Sequence, residues 1–303
     1  MTDPDSRTDL CRAPFPDFDA AVFDVPDGAC DTHAHVVSAD AAYPLVPGRS
    51  YTPPPAPERA YLEMLDGTGM SRGVLIQVSV YGTDNRYMLE VLSRHPDRLR
   101  GVAVVDADVD EETLARMDAL GVRGVRLNVL FGGGVGLDAM EPLAAKVSDL
   151  GWHLQLLLDA RELPALAPRI ARLPVPVVID HMGHFPAELG AGHPGFKALL
   201  SLVREHDAWV KISGAYRIDP SDPQYPSARR LALELLGAAP RRVLYGSDWP
   251  HVAAPYAMPN TGRMRNLVGE WVTDATLLHQ VLVDNPERLY GFVAPASGPV
   301  GSD

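Results

Sequence analysis

Residues 29–37 read "ACDTHAHVV": one acid and two imidazoles, Asp31, His33 and His35, spaced two apart inside an otherwise small and apolar stretch. In an extended strand, residues i and i+2 share a face, so His33 and His35 are expected to project together while Thr32 and Ala34 face outward. Two imidazoles on one face can hold a metal ion or polarise a substrate carbonyl. A carboxylate, Asp248, ends another apolar run in "VLYGSDWP" (243–250), and a third imidazole, His181, lies in "PVVIDHMG" (176–183). A carboxylate and imidazoles are residue types that serve as general bases and as hydrogen-bond donors to developing negative charge. Serine chemistry is not indicated, because Ser213 lacks the GxSxG turn and Ser247 sits beside the acid in "GSDW".

The elements that must position these groups repeat along the chain. Eight β-branched or apolar runs, at 30–37, 73–80, 101–106, 124–129, 153–159, 176–183, 209–216 and 243–250, alternate with amphipathic stretches. Runs that are apolar nearly throughout suit parallel strands covered on both faces. Two helices carry an acid at the start and a glycine at the stop: Asp110 with Leu114, Met117, Leu120 and Gly121, and Asp138 with Leu143, Val147, Leu150 and Gly151. Together these features predict an α/β fold, a single (β/α)8 TIM barrel over 21–293, closed so that the last strand lies beside the first. The Pro-rich "AAYPLVPGRSYTPPPAP" (41–57) after strand one is expected to be a lid loop. "FGGGVG" (131–136) lacks the spacing of a dinucleotide loop and reads as an active-site loop. The arm 1–20 and the tail 294–303 are expected to be disordered.

In such a barrel, polar residues at strand exits face the loop-bearing end, where chemistry takes place. Gln77, Ser79, Asp106, Arg126, Asn128, Asp180, Lys211 and Ser213 join the histidines there. The candidate substrate contacts are Arg126, Asn128, Ser79, Tyr81, Arg49, Tyr216, Arg217 and His251. His184 and His193 read as solvated loop histidines. A net charge of −12, from 39 acidic against 27 basic residues, opposes binding to nucleic acid or anionic lipid. Without an 18-residue apolar run or a basic-then-apolar N-terminus, a cytoplasmic protein is expected, with Cys11 and Cys30 as reduced thiols.

The stretches "DTHAH", "GVRLN", "IDHMG" and "LYGSDWPH" resemble the amidohydrolase superfamily in its amidohydrolase-2 branch, over about residues 28–292. Within it, "PGRSYTPPPA", "IQVSVYGTDNRYMLEVL" and "VDNPERLYGF" are similar to the 2-pyrone-4,6-dicarboxylate lactonase group. The resemblance implies a barrel that opens a lactone ring by adding water, with no obligatory metal. On that footing Asp248 is the expected general base, and His33, His35 and His181 are the expected donors that polarise the carbonyl.

Zinc-dependent members commonly take a histidine from the exit of strand five, but here that strand ends "LQLLLDA". Lysine lies on strand seven, as Lys211, and not on strand four, so a carbamylated two-metal centre is unsupported. One Zn²⁺ held by His33, His35, His181 and Asp248 is the alternative. The group also implies a cation shortly after the strand-four arginine, where "NVLFGGG" has none. A lactone with one acidic group, or a more apolar one against Leu130, Phe131 and Leu157, is therefore favoured over the dicarboxylate. Rival readings are a zinc-dependent decarboxylase of an aromatic or muconate-type acid, a lactone isomerase, and a non-catalytic ligand-binding barrel. The expected partner is a small-molecule lactone or acid, with no nucleic acid and no membrane; a homodimer is left open.

Overall fold

All eight apolar runs form strands, and all but the fourth are shorter than their apolar stretch because the chain turns into a loop once polar exit residues begin. They are β1 (Cys30–Ala34), β2 (Arg72–Ile76), β3 (Leu99–Ala103), β4 (Val122–Asn128), β5 (His153–Leu157), β6 (Val177–Ile179), β7 (Ala208–Lys211) and β8 (Val243–Leu244). In the computed structural model, which describes residues 10–254 and 257–292, they pair in the order β1 to β8, parallel throughout. The segment after β8 brings the ring to closure: Thr32 N–H donates to the Tyr245 carbonyl, Asp248 N–H to that of His33, and His35 N–H to that of Trp249, at 3.0, 2.8 and 2.8 Å. The fold is the expected (β/α)8 barrel.

Between the strands run α1 (Glu58–Thr68), α2 (Arg86–Arg94), α3 (Glu111–Ala119), α4 (Met140–Val147), α5 (Leu163–Ile170), α6 (Pro194–Glu205), the short α7 (Ala215–Ile218) and α8 (Pro226–Ala238). After β8 come α9 (Thr261–Trp271), α10 (Ala275–His279) and α11 (Asn285–Tyr290). Asp110 caps α3 as expected, its carboxylate accepting the Thr113 N–H at 2.6 Å. Asp138 does not cap α4; it lies in a 3-10 turn (Leu137–Ala139) that precedes the helix. Gly151 does stop that segment, in the left-handed conformation that glycine adopts at least cost.

Inside the ring, one end is apolar. Cys30, Val74, Ile76, Val102, Val178, Trp209 and Leu244 form a plug there, completed by Tyr290 and Phe292. The other end carries the polar strand exits. Over it folds the Pro-rich segment 41–57, held by the Val46 N–H on the Val80 carbonyl and by an antiparallel bridge between Val37 and Ala56. The glycine loop 131–136 packs against this segment, with the Gly132 N–H donating to Ser50 Oγ at 2.7 Å. Gly133, with φ of 92°, has no room for a side chain: a Cβ there would lie 2.4 Å from the Ser79 carbonyl oxygen.

The arm expected to be disordered is tied down in its described part. Leu10 pairs with Thr52, and the Asp19 carbonyl accepts from the buried Arg265 at 2.7 Å. Residues 1–9 and the tail 294–303 lie outside the described residues. Among the described residues, no helix is long and apolar enough to cross a membrane, and neither cysteine is in a disulfide.

Candidate active site

His33, His35, His181 and Asp248 meet at the polar end of the barrel, each almost wholly buried. The ring of His33 lies 5.1 Å from that of His35 and 4.5 Å from that of His181. Asp248 uses its two oxygens differently. Oδ2 accepts from Tyr216 Oη and from Arg217 Nε, both at 2.6 Å. Oδ1 faces His33 Nε2 and His181 Nε2, at 3.8 Å from each, too far for a direct hydrogen bond. Burial would raise the pKa of Asp248, but the Arg217 guanidinium outweighs it and holds the carboxyl well below the usual range. The backbone at Asp248 is left-handed, with φ of 67°, an uncommon state for a side-chain-bearing residue and one that clusters at functional sites.

The neighbours of each imidazole decide what it can offer. His35 Nδ1 lies 2.7 Å from the Ile76 carbonyl, which can only accept, so that nitrogen bears the proton. Burial, then the proximity of His33 and Arg126, holds the His35 pKa well below its ordinary value, so the ring is neutral and turns a bare Nε2 to the cavity. The expectation that His35 donates to a carbonyl is therefore corrected: it accepts. His181 Nδ1 pairs with Ser213 Oγ at 2.8 Å, and burial likewise keeps its ring neutral. His33 Nδ1 lies 3.3 Å from Lys211 Nζ and 3.2 Å from Asp180 Oδ1, while its Nε2 has no hydrogen-bond partner.

Asp31 is not a member of this set. A register shift between Asp31 and Ala34 breaks the alternation of β1. Its carboxylate accepts from Ser247 N–H at 2.8 Å, Ser247 Oγ at 2.5 Å and His33 N–H at 3.1 Å, pinning the segment that carries Asp248 to the first strand. Thr32, expected to face outward, instead donates to the Tyr245 carbonyl on this seam at 2.6 Å. Burial raises the pKa of Asp31 to about 6, against the pull of the Ser247 hydrogen bonds.

A narrow cleft lies over the histidines. Its wall includes His35, His181 and Asp248, the cations Arg126 and Arg217, Ser79, and the apolar side chains of Phe131, Leu157 and Val252. Other expected contacts are placed elsewhere. Tyr81 turns its hydroxyl to the Ser38 N–H at 2.9 Å. Arg49 bonds within segment 41–57 to Thr52 Oγ1 and the Val46 carbonyl. Asn128 shapes the loop after β4, donating to Ser79 Oγ and accepting from the Leu130 and Phe131 N–H groups. His251 pairs with Thr261 Oγ1 at 2.9 Å and packs edge-on against Tyr216, behind Asp248. Asp106 and Leu130 are exposed.

Two wall residues escaped the sequence reading. Tyr51, from the Pro-rich segment, is buried over the cavity and meets Phe131 edge-on with ring centres 5.8 Å apart. His184, expected to be solvated, lines the cavity, and its buried Nε2 has no hydrogen-bond partner. The signal was "HMGH": residues 181–184 all take positive φ, and this turn swings His184 back over the mouth. His193 is half-buried and caps α6, accepting the Gly195 N–H at 3.0 Å.

His33, His35 and Asp248 form one group whose ligand atoms could hold a metal ion, and His33, Asp180 and His181 form another. The atom types fit a single divalent ion, but the surroundings do not. Against the carboxylates Asp180 and Asp248 stand three cations, Lys211, Arg126 and Arg217. At β5, where a further ligand would come from, Leu157 is apolar, and an ammonium faces the back of His33. Burial lowers the pKa of that lysine to about 8, with Asp180 opposing the shift, so it is mostly protonated at neutral pH.

The amidohydrolase family model matches residues 30–292. The 4-sulfomuconolactone hydrolase of Hydrogenophaga intermedia is 34% identical over 290 residues, covering 94% of this chain and 95% of that protein. The 2-pyrone-4,6-dicarboxylate hydrolase of Comamonas testosteroni is 33% identical over 283 residues, covering 88% and 92%. A solved structure from Pseudomonas putida, assigned as a 2-pyrone-4,6-dicarboxylic acid hydrolase, superposes with a TM-score of 0.79 at 36% identity, covering 88% of this chain and 99% of its own. With its strand-one histidine pair, its strand-eight aspartate and a match over nearly all of its length, this chain belongs to the amidohydrolase family.

Proposed function

We propose that this protein opens the lactone ring of a small anionic organic acid by adding water, with no obligatory metal. The observation that carries the reading is the division of labour in Asp248: one oxygen is anchored by Tyr216 and Arg217, and the other is free beside two imidazoles. A water held at Oδ1 loses a proton to Asp248 as its oxygen attacks the ester carbonyl. His33 and His181 donate N–H to the carbonyl oxygen as it gains negative charge. The ring C–O bond then breaks, the leaving oxygen takes the proton back, and the product is an open-chain acid. His35 accepts a hydrogen bond from the water or from a substrate hydroxyl, consistent with its bare Nε2. The anchored Oδ2 keeps Asp248 ionised, the form a general base needs, and aims its other oxygen.

The substrate class follows from the wall. Arg126 and Arg217 suit one carboxylate or sulfonate, and Phe131, Leu157 and Val252 suit an apolar ring edge. The relatives, named for sulfomuconolactone and pyrone dicarboxylate hydrolysis, support an acidic lactone in general. The test is proton release from a panel of sugar-acid, muconate-derived and pyrone lactones, run in ¹⁸O-labelled water with and without chelator. One ¹⁸O in the product carboxylate and no loss with chelator are expected. Ring migration without ¹⁸O identifies an isomerase, and activity lost to chelator and restored by zinc identifies a metal-dependent route; either rejects the proposal.

A further inference from the structure

Beneath the cavity, Lys211 is fully buried on β7. Two of its N–H bonds end on oxygens that can only accept, the Thr32 carbonyl and Gln155 Oε1, both at 2.8 Å. The Gln155 amide is itself oriented by Asp180, whose Oδ2 accepts from Gln155 Nε2 at 3.0 Å, so Oε1 must be the end turned to the lysine. The third N–H has two groups in reach: His33 Nδ1, hydrogen-bonded at 3.3 Å, and Asp180 Oδ1, an ion-pair neighbour at 3.5 Å that makes no hydrogen bond. An ammonium has no lone pair, so a ring nitrogen that bonds to it must be the one without a proton. The competing neighbour, Asp180 Oδ1, is 3.2 Å from the same nitrogen but has no hydrogen bond and would demand the opposite tautomer.

We propose that Lys211 is a positioning residue that fixes His33 as the Nε2–H tautomer, so that His33 presents a donor to the cavity where His35, two residues on, presents a lone pair. The use of this donor rests on the hydrolase reading above; its existence does not. A carbonyl oxygen gathering negative charge needs an N–H, whereas a divalent metal needs a bare nitrogen, usually backed by a carboxylate on the other ring N–H. Asp180 stands ready to be that carboxylate. Lys211 thereby sets this site to receive an anionic oxygen and to disfavour a metal, through a contact that touches neither.

The deciding measurement is the ring ¹⁵N spectrum of the histidine-labelled wild-type enzyme at neutral pH without metal, with His33 assigned by the signals lost in His33→Gln. A protonated Nε2 and bare Nδ1 are expected; a protonated Nδ1 overturns the proposal whether or not the protein hydrolyses lactones. In Lys211→Met the pattern should invert as the Nδ1 proton turns to Asp180, zinc should bind about 10–100-fold tighter by titration, and kcat should fall with little change in KM. A folded Lys211→Met with unchanged ¹⁵N pattern and zinc affinity also overturns it, and if that variant does not fold the wild-type spectrum decides alone. A wild type that opens no lactone rejects the hydrolase reading and leaves the tautomer separately measured.

Discussion

The two ends of the barrel interior are built on the same strands and are about equally dry, yet they hold opposite chemistry. On β6 the plug takes Val178 and the site takes Asp180; on β7 it is Trp209 and then Lys211; after β8 it is Leu244 and then Asp248. Moving a few residues along a strand exchanges an apolar side chain for a buried charge. The lower end is stabilised by removing apolar surface from water, at roughly 25 cal/mol per Å². The upper end gains little from its burial, since desolvating each ion opposes the attraction within the pairs. It persists because its charges are paired with one another, and it bears the charge, bases and donors that a reaction on an acidic ester requires. Stability and reactivity are therefore separable by position along the strands.

Four experiments can break or sharpen that separation. The largest effect is expected from Asp248→Asn, which should cut turnover on a responsive lactone by about 10⁴-fold, the upper range for a positioned general base, while the melting temperature stays within a few degrees. Turnover within tenfold of wild type would reject Asp248 as the base. Phe292→Ala at the plug should do the reverse. It removes the ring on which Arg72 and Arg100 stack, at 5.2 and 4.7 Å, and should cost about 3–5 kcal/mol by denaturant titration with kcat/KM of the folded enzyme unchanged. A large loss of kcat/KM at low temperature would mean that the two ends are coupled.

Asp31 lies between the two ends and is expected to show itself through pH. Its pKa of about 6 in the folded protein exceeds the ordinary value of 3.8, so the folded state holds more protons between those values. Its contribution to stability should fall as pH rises from about 4 to about 6, by about 3 kcal/mol at most, and Asp31→Asn should flatten that limb of the stability curve. An unaltered limb would exclude Asp31 as its source. The smallest effect should come from His184→Phe, which removes one unpartnered ring nitrogen from the cavity wall. A rise in KM of about 3–10-fold with kcat little changed is expected for a single substrate hydrogen bond, and an unchanged KM would remove His184 from the binding surface.

Much of the site was legible before folding. An imidazole pair at i and i+2 in a β-branched run, and an acid ending the last run, were enough to place His33, His35 and Asp248 together once eight repeats implied a closed ring. The cap at Asp110 was equally plain. Other assignments failed where a local irregularity changed the direction of a side chain. The register shift in β1 put Thr32, expected to face outward, on the seam with Tyr245, and the left-handed turn at 181–184 turned His184 inward. Tyr81, Asn128 and Arg49 have the chemistry of substrate contacts but hydrogen-bond to loop groups, Tyr81 to Ser38, Asn128 to Ser79 and Arg49 to Val46.

Residue type and spacing thus carried the architecture, the end of the barrel where chemistry sits and the identity of its acid and imidazoles, because periodicity and the cost of polar groups in a core are written locally. The hydrogen-bond character of each imidazole could not be read that way. Whether a ring nitrogen bears a proton depends on the atom opposite its other nitrogen. For His35 that atom is the Ile76 carbonyl and for His33 it is the Lys211 ammonium, 41 and 178 residues away along the chain. Only strand pairing brings such groups to within hydrogen-bonding distance.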